Sequence, residues 1–154
     1  MGKEWRGFWK IAFCAAVALL ALHFAVGFIR LFHPANNGKW VYITHTRMTE
    51  QGPITETRSC GYQYAGVPTT AVTKCSYFYI PGAGIPPMDN DTESYTLTFT
   101  DPNSGDITLT YQIWSDGEIA IDRRSARPGI KSWGVEEEIY ASIAQLYNDI
   151  GDAE

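Results

Sequence analysis

The apolar and polar positions of this chain fall into three regimes. Residues 11–32 form one unbroken apolar run, interrupted only by His23 and, near its end, Arg30. Its 22 residues exceed the roughly 20 that a helix needs to cross a bilayer core. From Lys39 the pattern turns β-like. Residues 39–47 and 54–64 are rich in Thr, aromatic and β-branched positions on either side of Glu50-Gln51-Gly52-Pro53, which reads as a hairpin. Residues 72–80 predict another aromatic strand carrying Cys75, closed by Pro81-Gly82-Ala83-Gly84-Ile85-Pro86-Pro87.

The clearest alternation follows. Tyr95, Leu97 and Phe99 alternate with Thr96, Thr98 and Thr100; Ile107, Leu109, Tyr111 and Ile113 alternate with Thr108, Thr110 and Gln112. Asp101-Pro102-Asn103-Ser104-Gly105-Asp106 and Ser115-Asp116-Gly117 are turn signals, and Ile119-Ala120-Ile121 closes an antiparallel meander with one wet face. The last segment, residues 135–150, has helical spacing. Val135, Ile139, Ile143, Leu146, Tyr147 and Ile150 make one stripe, Glu136, Glu137 and Glu138 suit the positive end of the helix dipole, and Gly151 is a stop. The expected architecture is α+β: a single N-terminal transmembrane helix, then a small antiparallel sheet domain covered by a C-terminal helix. The domain plan is a cytoplasmic N-terminus (1–10), the membrane helix (11–32), a short linker (33–38) holding the Pro34-Ala35-Asn36-Asn37-Gly38 break, and an exported domain (39–154).

Charge gives the membrane helix a direction. Lys3, Arg6 and Lys10 precede the run against Glu4 alone, and after Arg30 nothing basic appears until Lys39, so the positive-inside bias keeps the N-terminus in the cytoplasm. The bulky Phe28, Ile29, Leu31 and Phe32 at the far end do not resemble a signal-peptidase site, which favours an uncleaved anchor. Cys14, Ala18, Ala21 and Ala25 fall on one narrow helical stripe, and small residues let helices approach closely in lipid. His23 lies near mid-span, where an imidazole needs a partner. These five residues are the expected transmembrane interface.

From Pro34 onward, eight Lys/Arg face sixteen Asp/Glu. So acidic a domain is a poor nucleic-acid binder, since phosphate contacts need Lys and Arg. The local exception, Arg123, Arg124 and Arg127 with Lys131, is a solvated loop or a patch for headgroups or an acidic partner. Cys60 and Cys75, with fourteen residues between them in the exported part, predict a disulfide worth about 3 kcal/mol.

Catalytic signatures are missing from this pattern. His45 sits in a Thr-rich strand with no Gly-x-Ser-x-Gly elbow anywhere in the chain. Asp89, Asp91 and Glu93 alternate but lack the Gly and distal Glu of an EF-hand loop, and Gly82-Ala83-Gly84 has no phosphate-loop continuation. Asn90-Asp91-Thr92 is a glycosylation pattern that matters only in a eukaryotic host. No cofactor or metal is expected. Tyr62, Tyr64, Tyr77, Tyr79, Trp114 and Trp133 supply core and contact surface alike, and Trp114, on the polar phase of its strand, is the candidate for exposure or a second packing layer.

The expected function is a non-enzymatic, single-pass accessory subunit or adaptor of a membrane or envelope complex. It would sit in a bacterial inner membrane with a periplasmic domain, and its partners would be lipid and integral or envelope proteins. A periplasmic immunity or exclusion inhibitor is the first alternative; a ligand-binding or hydrolytic domain using residues 81–93 is the second.

Overall fold

The computed structural model describes residues 3–25, 28–30, 40–60, 70, 72, 75–80, 82–86, 89, 92–129 and 134–151. The chain is α+β. Helix α1 spans Lys3–Ala25 and helix α2 spans Glu136–Gly151. Between them lie strands β1 (Phe28–Arg30), β2 (Trp40–Thr49), β3 (Gly52–Cys60), β4 (Ser76–Tyr79), β5 (Glu93–Thr100), β6 (Ile107–Trp114), β7 (Ile119–Ile121) and β8 (Arg124–Pro128). They form one sheet in the order β1-β4-β8-β7-β6-β5-β2-β3, with every neighbouring pair antiparallel.

The register follows from the alternation. Pairing Ile43 with Leu97 and Leu97 with Tyr111 puts Val41, Ile43, Tyr95, Leu97, Phe99, Leu109, Tyr111 and Ile113 of β2, β5 and β6 on one face. That face carries the core: Val41, Ile43, Leu97, Phe99, Tyr111, Ile113, Ile119 and Ile121 are all fully buried. Over it lies α2, with Ile139, Ile143, Leu146, Tyr147 and Ile150 turned inward, the stripe expected from helical spacing. The other face, over β3, β2, β5 and β6, is a sward of Thr44, Thr46, Thr55, Thr57, Thr96, Thr98 and Thr110.

Three features differ from the sequence-based expectation. The apolar run is not one helix. Helix α1 begins at Lys3, inside the expected cytoplasmic tail, and ends at Ala25, while Phe28, Ile29 and Arg30 pair with Phe78, Tyr77 and Ser76 at the sheet edge. Phe and Ile suit a half-buried pleated surface, and β4 supplies the ladder that lipid could not. The strand expected over 72–80 shrinks to Ser76–Tyr79, leaving Cys75 outside it. And Arg124 and Arg127 lie on a strand: with Arg123 they belong to a β7–β8 hairpin, whose two-residue turn is Asp122 and Arg123 at φ 48° and 64°. Two successive left-handed residues form the turn whose twist matches the strands, but it is normally written with Asn or Gly, so Asp-Arg gave no signal.

Candidate functional site

The largest uncovered feature is α1. Its described apolar side chains are exposed on every side, with Ile11 at 72%, Phe13 at 70% and Leu19 at 67%. Among the described residues its one substantial neighbour is β1. In water such a surface is costly, at roughly 25 cal/mol per Å². Cys14, Ala18 and Ala21 lie exposed along it. The side chains of His23 and Ala25 lie outside the described residues. Trp5 and Trp9 pack side by side one turn apart, with centroids at 6.5 Å, and Phe8 meets Trp9 edge-on. Among the described residues no helix is long and apolar enough to cross a membrane.

The second feature is a histidine–tyrosine cluster where α2 meets the sheet. The β2–β5 register puts His45 opposite Tyr95, and the two rings stack at 4.7 Å. His45 Nε2 lies 3.2 Å from Glu93 Oε2. From α2, Tyr147 packs edge-on against His45, and Tyr140 against Tyr95. From β3, Arg58 donates to the Tyr147 carbonyl, while Tyr147 Oη lies 3.3 Å from Glu56 Oε2. Burial, then the neighbouring Tyr95 and Glu93, push the Tyr140 hydroxyl up to about 12. Burial likewise raises Tyr95 and Tyr147. Hydroxyls held protonated in this way remain hydrogen-bond donors at neutral pH. Tyr140 and Tyr147 of α2 thus pack on Tyr95, His45 and Arg58 of the sheet, and the cluster ties the helix to the sheet. The sequence singled out His45 and Glu93, but separately and with no link between them. Glu93, Tyr95, Tyr140 and Arg58 come from other places in the chain, and only the fold assembles them.

The expected disulfide is absent. Cys60 and Cys75 are free thiols, both buried in the core. Cys60 ends edge strand β3 and Cys75 precedes β4, and five strands stand between β3 and β4 in the sheet. Burial pushes the Cys60 thiol up to about 11. Cys75 neighbours a pair of buried hydroxyls in which Tyr77 donates to the Val72 carbonyl at 2.9 Å and lies 3.2 Å from the Tyr111 hydroxyl. Burial raises both tyrosines far above their ordinary range.

Trp114 is 1% exposed, so it is not an open contact residue. Its Nε1 has no hydrogen-bond partner among the described residues. The arginines do not form one patch. The Arg124 guanidinium lies over the Tyr79 ring at 3.7 Å. Arg127, three residues along the strand, lies 3.7 Å from Glu118, and Arg123 stands exposed at the turn. Lys131, Trp133, Tyr62, Tyr64, Asp91 and the 33–38 linker lie outside the described residues; Asp89 is exposed. No group of three or more His, Cys, Asp or Glu among the described residues is placed to hold a metal. No protein-family model matches the chain, and no characterised protein or solved structure is significantly similar to it.

Proposed function

We propose that this protein is a membrane-tethered, non-enzymatic accessory subunit or adaptor. Helix α1 is its anchor and its docking element for partner helices, and the sheet domain braces another membrane or envelope protein. The observation that carries this is the exposed apolar surface of α1, which nothing among the described residues covers.

The anchor proposed here differs in extent from the apolar run of the sequence. Residues 11–25 alone give about 22 Å of helix at 1.5 Å per residue, short of the roughly 30 Å hydrocarbon core. Residues 5–25 give about 31 Å. That length places Trp5 and Trp9 at the headgroup level that aromatic rings favour, with Lys10 snorkelling from its aliphatic stem. The basic N-terminus then stays in the cytoplasm and the acidic domain lies beyond, in the periplasm if the host is a bacterium with an inner membrane.

The test is solubility and company. The full chain should resist carbonate extraction from membranes and purify in mild detergent with a stoichiometric partner. Replacing residues 11–25 by leucines should keep the protein in the membrane and lose the partner. Extraction of the native chain by carbonate would overturn the anchor; retention of the partner by the leucine variant would show that the sheet domain alone does the binding.

A further inference from the structure

The sheet has an unfinished side. Strand β3, nine residues long, is its last strand, and no strand lies beyond it among the described residues. Its Ile54, Thr55, Glu56, Thr57 and Ser59 side chains are exposed. Every other strand in the run from β4 to β2 has a neighbour on each side, so the outward amides and carbonyls of β3 form a ready template for another strand.

We infer that the strand that pairs there is β3 of a second copy of this chain, antiparallel, with Thr57 on the twofold axis. The argument is charge complementarity within a short self-symmetric stretch. The axis relating two antiparallel edge strands stands normal to the sheet and keeps each side chain on its own face, so a residue meets one of equal parity. Five registers then pair five or more positions, and those centred on Ile54 and Thr55 take Pro53, which cannot donate, into the ladder and leave Glu56 opposite Gly52 or Ile54. Centring on Glu56 sets Glu56 against itself, and centring on Arg58 sets Arg58 against itself; like charges directly opposite are destabilising. Centring on Thr57 sets Glu56 against Arg58 of the second copy, and Arg58 against the second copy's Glu56. Thr55 then meets Ser59 and Ile54 meets Cys60. The contact is isologous, so it closes at two copies and does not run on into a fibre.

The side chains are prepared for it. Arg58 Nη1 donates to the Tyr147 carbonyl and Glu56 Oε2 accepts from the Tyr147 hydroxyl, which fixes both groups while leaving guanidinium donors and a carboxylate oxygen unspent. Among the described residues neither is in an ion pair within its own chain. Edge charges also serve to repel strands, but Glu56 and Arg58 repel only in the registers centred on Glu56 and on Arg58. Pro53, which cannot donate to a ladder, lies outside the seven paired positions. The inference stands on β3 alone and holds whether or not α1 enters a bilayer. If both α1 helices do enter one bilayer, the twofold must stand along the membrane normal.

The test uses the full chain in mild detergent with Cys14→Ser as background, since Cys60 and Cys75 are buried. Thr57→Cys sits on the axis and should give a disulfide-linked dimer under mild oxidation. Thr55→Cys alone should give none, because it meets Ser59; a mixture of Thr55→Cys and Ser59→Cys chains should give the mixed dimer. In light scattering the parent should have dimer mass, Glu56→Arg monomer mass, and Glu56→Arg combined with Arg58→Glu dimer mass again. Absence of the Thr57→Cys cross-link, or a dimer undisturbed by Glu56→Arg, would overturn the inference. The cross-linking arm is independent of the charge reversal at Arg58, which also weakens the α2 clamp.

Discussion

Arg58 on β3 reaches across to the last turns of α2, where it donates to the Tyr147 carbonyl at 2.6 Å and lies 4.0 Å from the centre of the ring of the same residue. Helix α2 carries three glutamates in its first turn and no basic residue in its last. The negative end of the helix dipole is therefore served by a cation from the sheet. One guanidinium caps the helix and ties it to the sheet edge.

Removing that group should cost more than a surface charge does. Arg58→Ala loses a charge-assisted hydrogen bond and a cation–π contact, and is expected to lower stability by about 2 kcal/mol. A Cβ on Gly151 would run into the Arg58 guanidinium. Gly151→Ala should therefore destabilise the native chain and cost much less in the Arg58→Ala background. Urea titration of the four proteins of this double-mutant cycle measures the coupling; strict additivity would refute the packing.

The two core cysteines should behave as inert thiols. The Cys60 thiol is raised from 9.0 to about 11 in the folded chain, so burial disfavours its charged form. The sign follows: the folded pKa lies above the unfolded one, so this contribution to stability is whole below about pH 9 and fades as pH rises through about 11. Tyr140, raised from 10.0 to about 12, adds to the same alkaline loss. Native protein at pH 8 should resist iodoacetamide at Cys60, and mass spectrometry should find Cys60 and Cys75 unlinked after isolation without reductant. Alkylation of Cys60 as fast as in the unfolded chain would contradict the burial.

The β7–β8 turn stores removable strain. Arg123 holds φ at 64°, a region that costs a residue with a Cβ roughly 1–2 kcal/mol. Arg123→Gly should raise stability by about 1 kcal/mol at most, since glycine also loses more freedom on folding. A fall in melting temperature would show that the arginine side chain contributes more than its backbone costs.

The small stripe on α1 offers a comparison between packing and plain solvation. Replacing Ala18 and Ala21 by Leu adds bulk that lipid accepts and a close helix contact does not. Membrane retention should be unchanged while co-purification of the partner falls. An unaltered complex would remove the stripe from the interface.

The meander over 93–121 and the α2 stripe are legible from periodicity alone, because each repeats a single period over several turns or pairs and needs no distant residue to interpret it. The hidden parts are those in which the partner decides. Residues 28–30 read as the tail of an apolar helix until β4 offers them a ladder. The pair Cys60 and Cys75 reads as a staple until the sheet order puts five strands between β3 and β4. His45 reads as a lone histidine until the β2–β5 register delivers Tyr95 and Glu93, and α2 delivers Tyr147. The self-complementary stretch around Thr57 is present in the sequence, but it acquires meaning only when β3 proves to be an edge. Local pattern thus determined the longer helix and strand segments and which of their faces are apolar, since burial rewards periodicity directly. Tertiary structure decided neighbours, and with them every polar contact, since a hydrogen bond or an ion pair depends on one specific partner that the chain can bring from anywhere along its length.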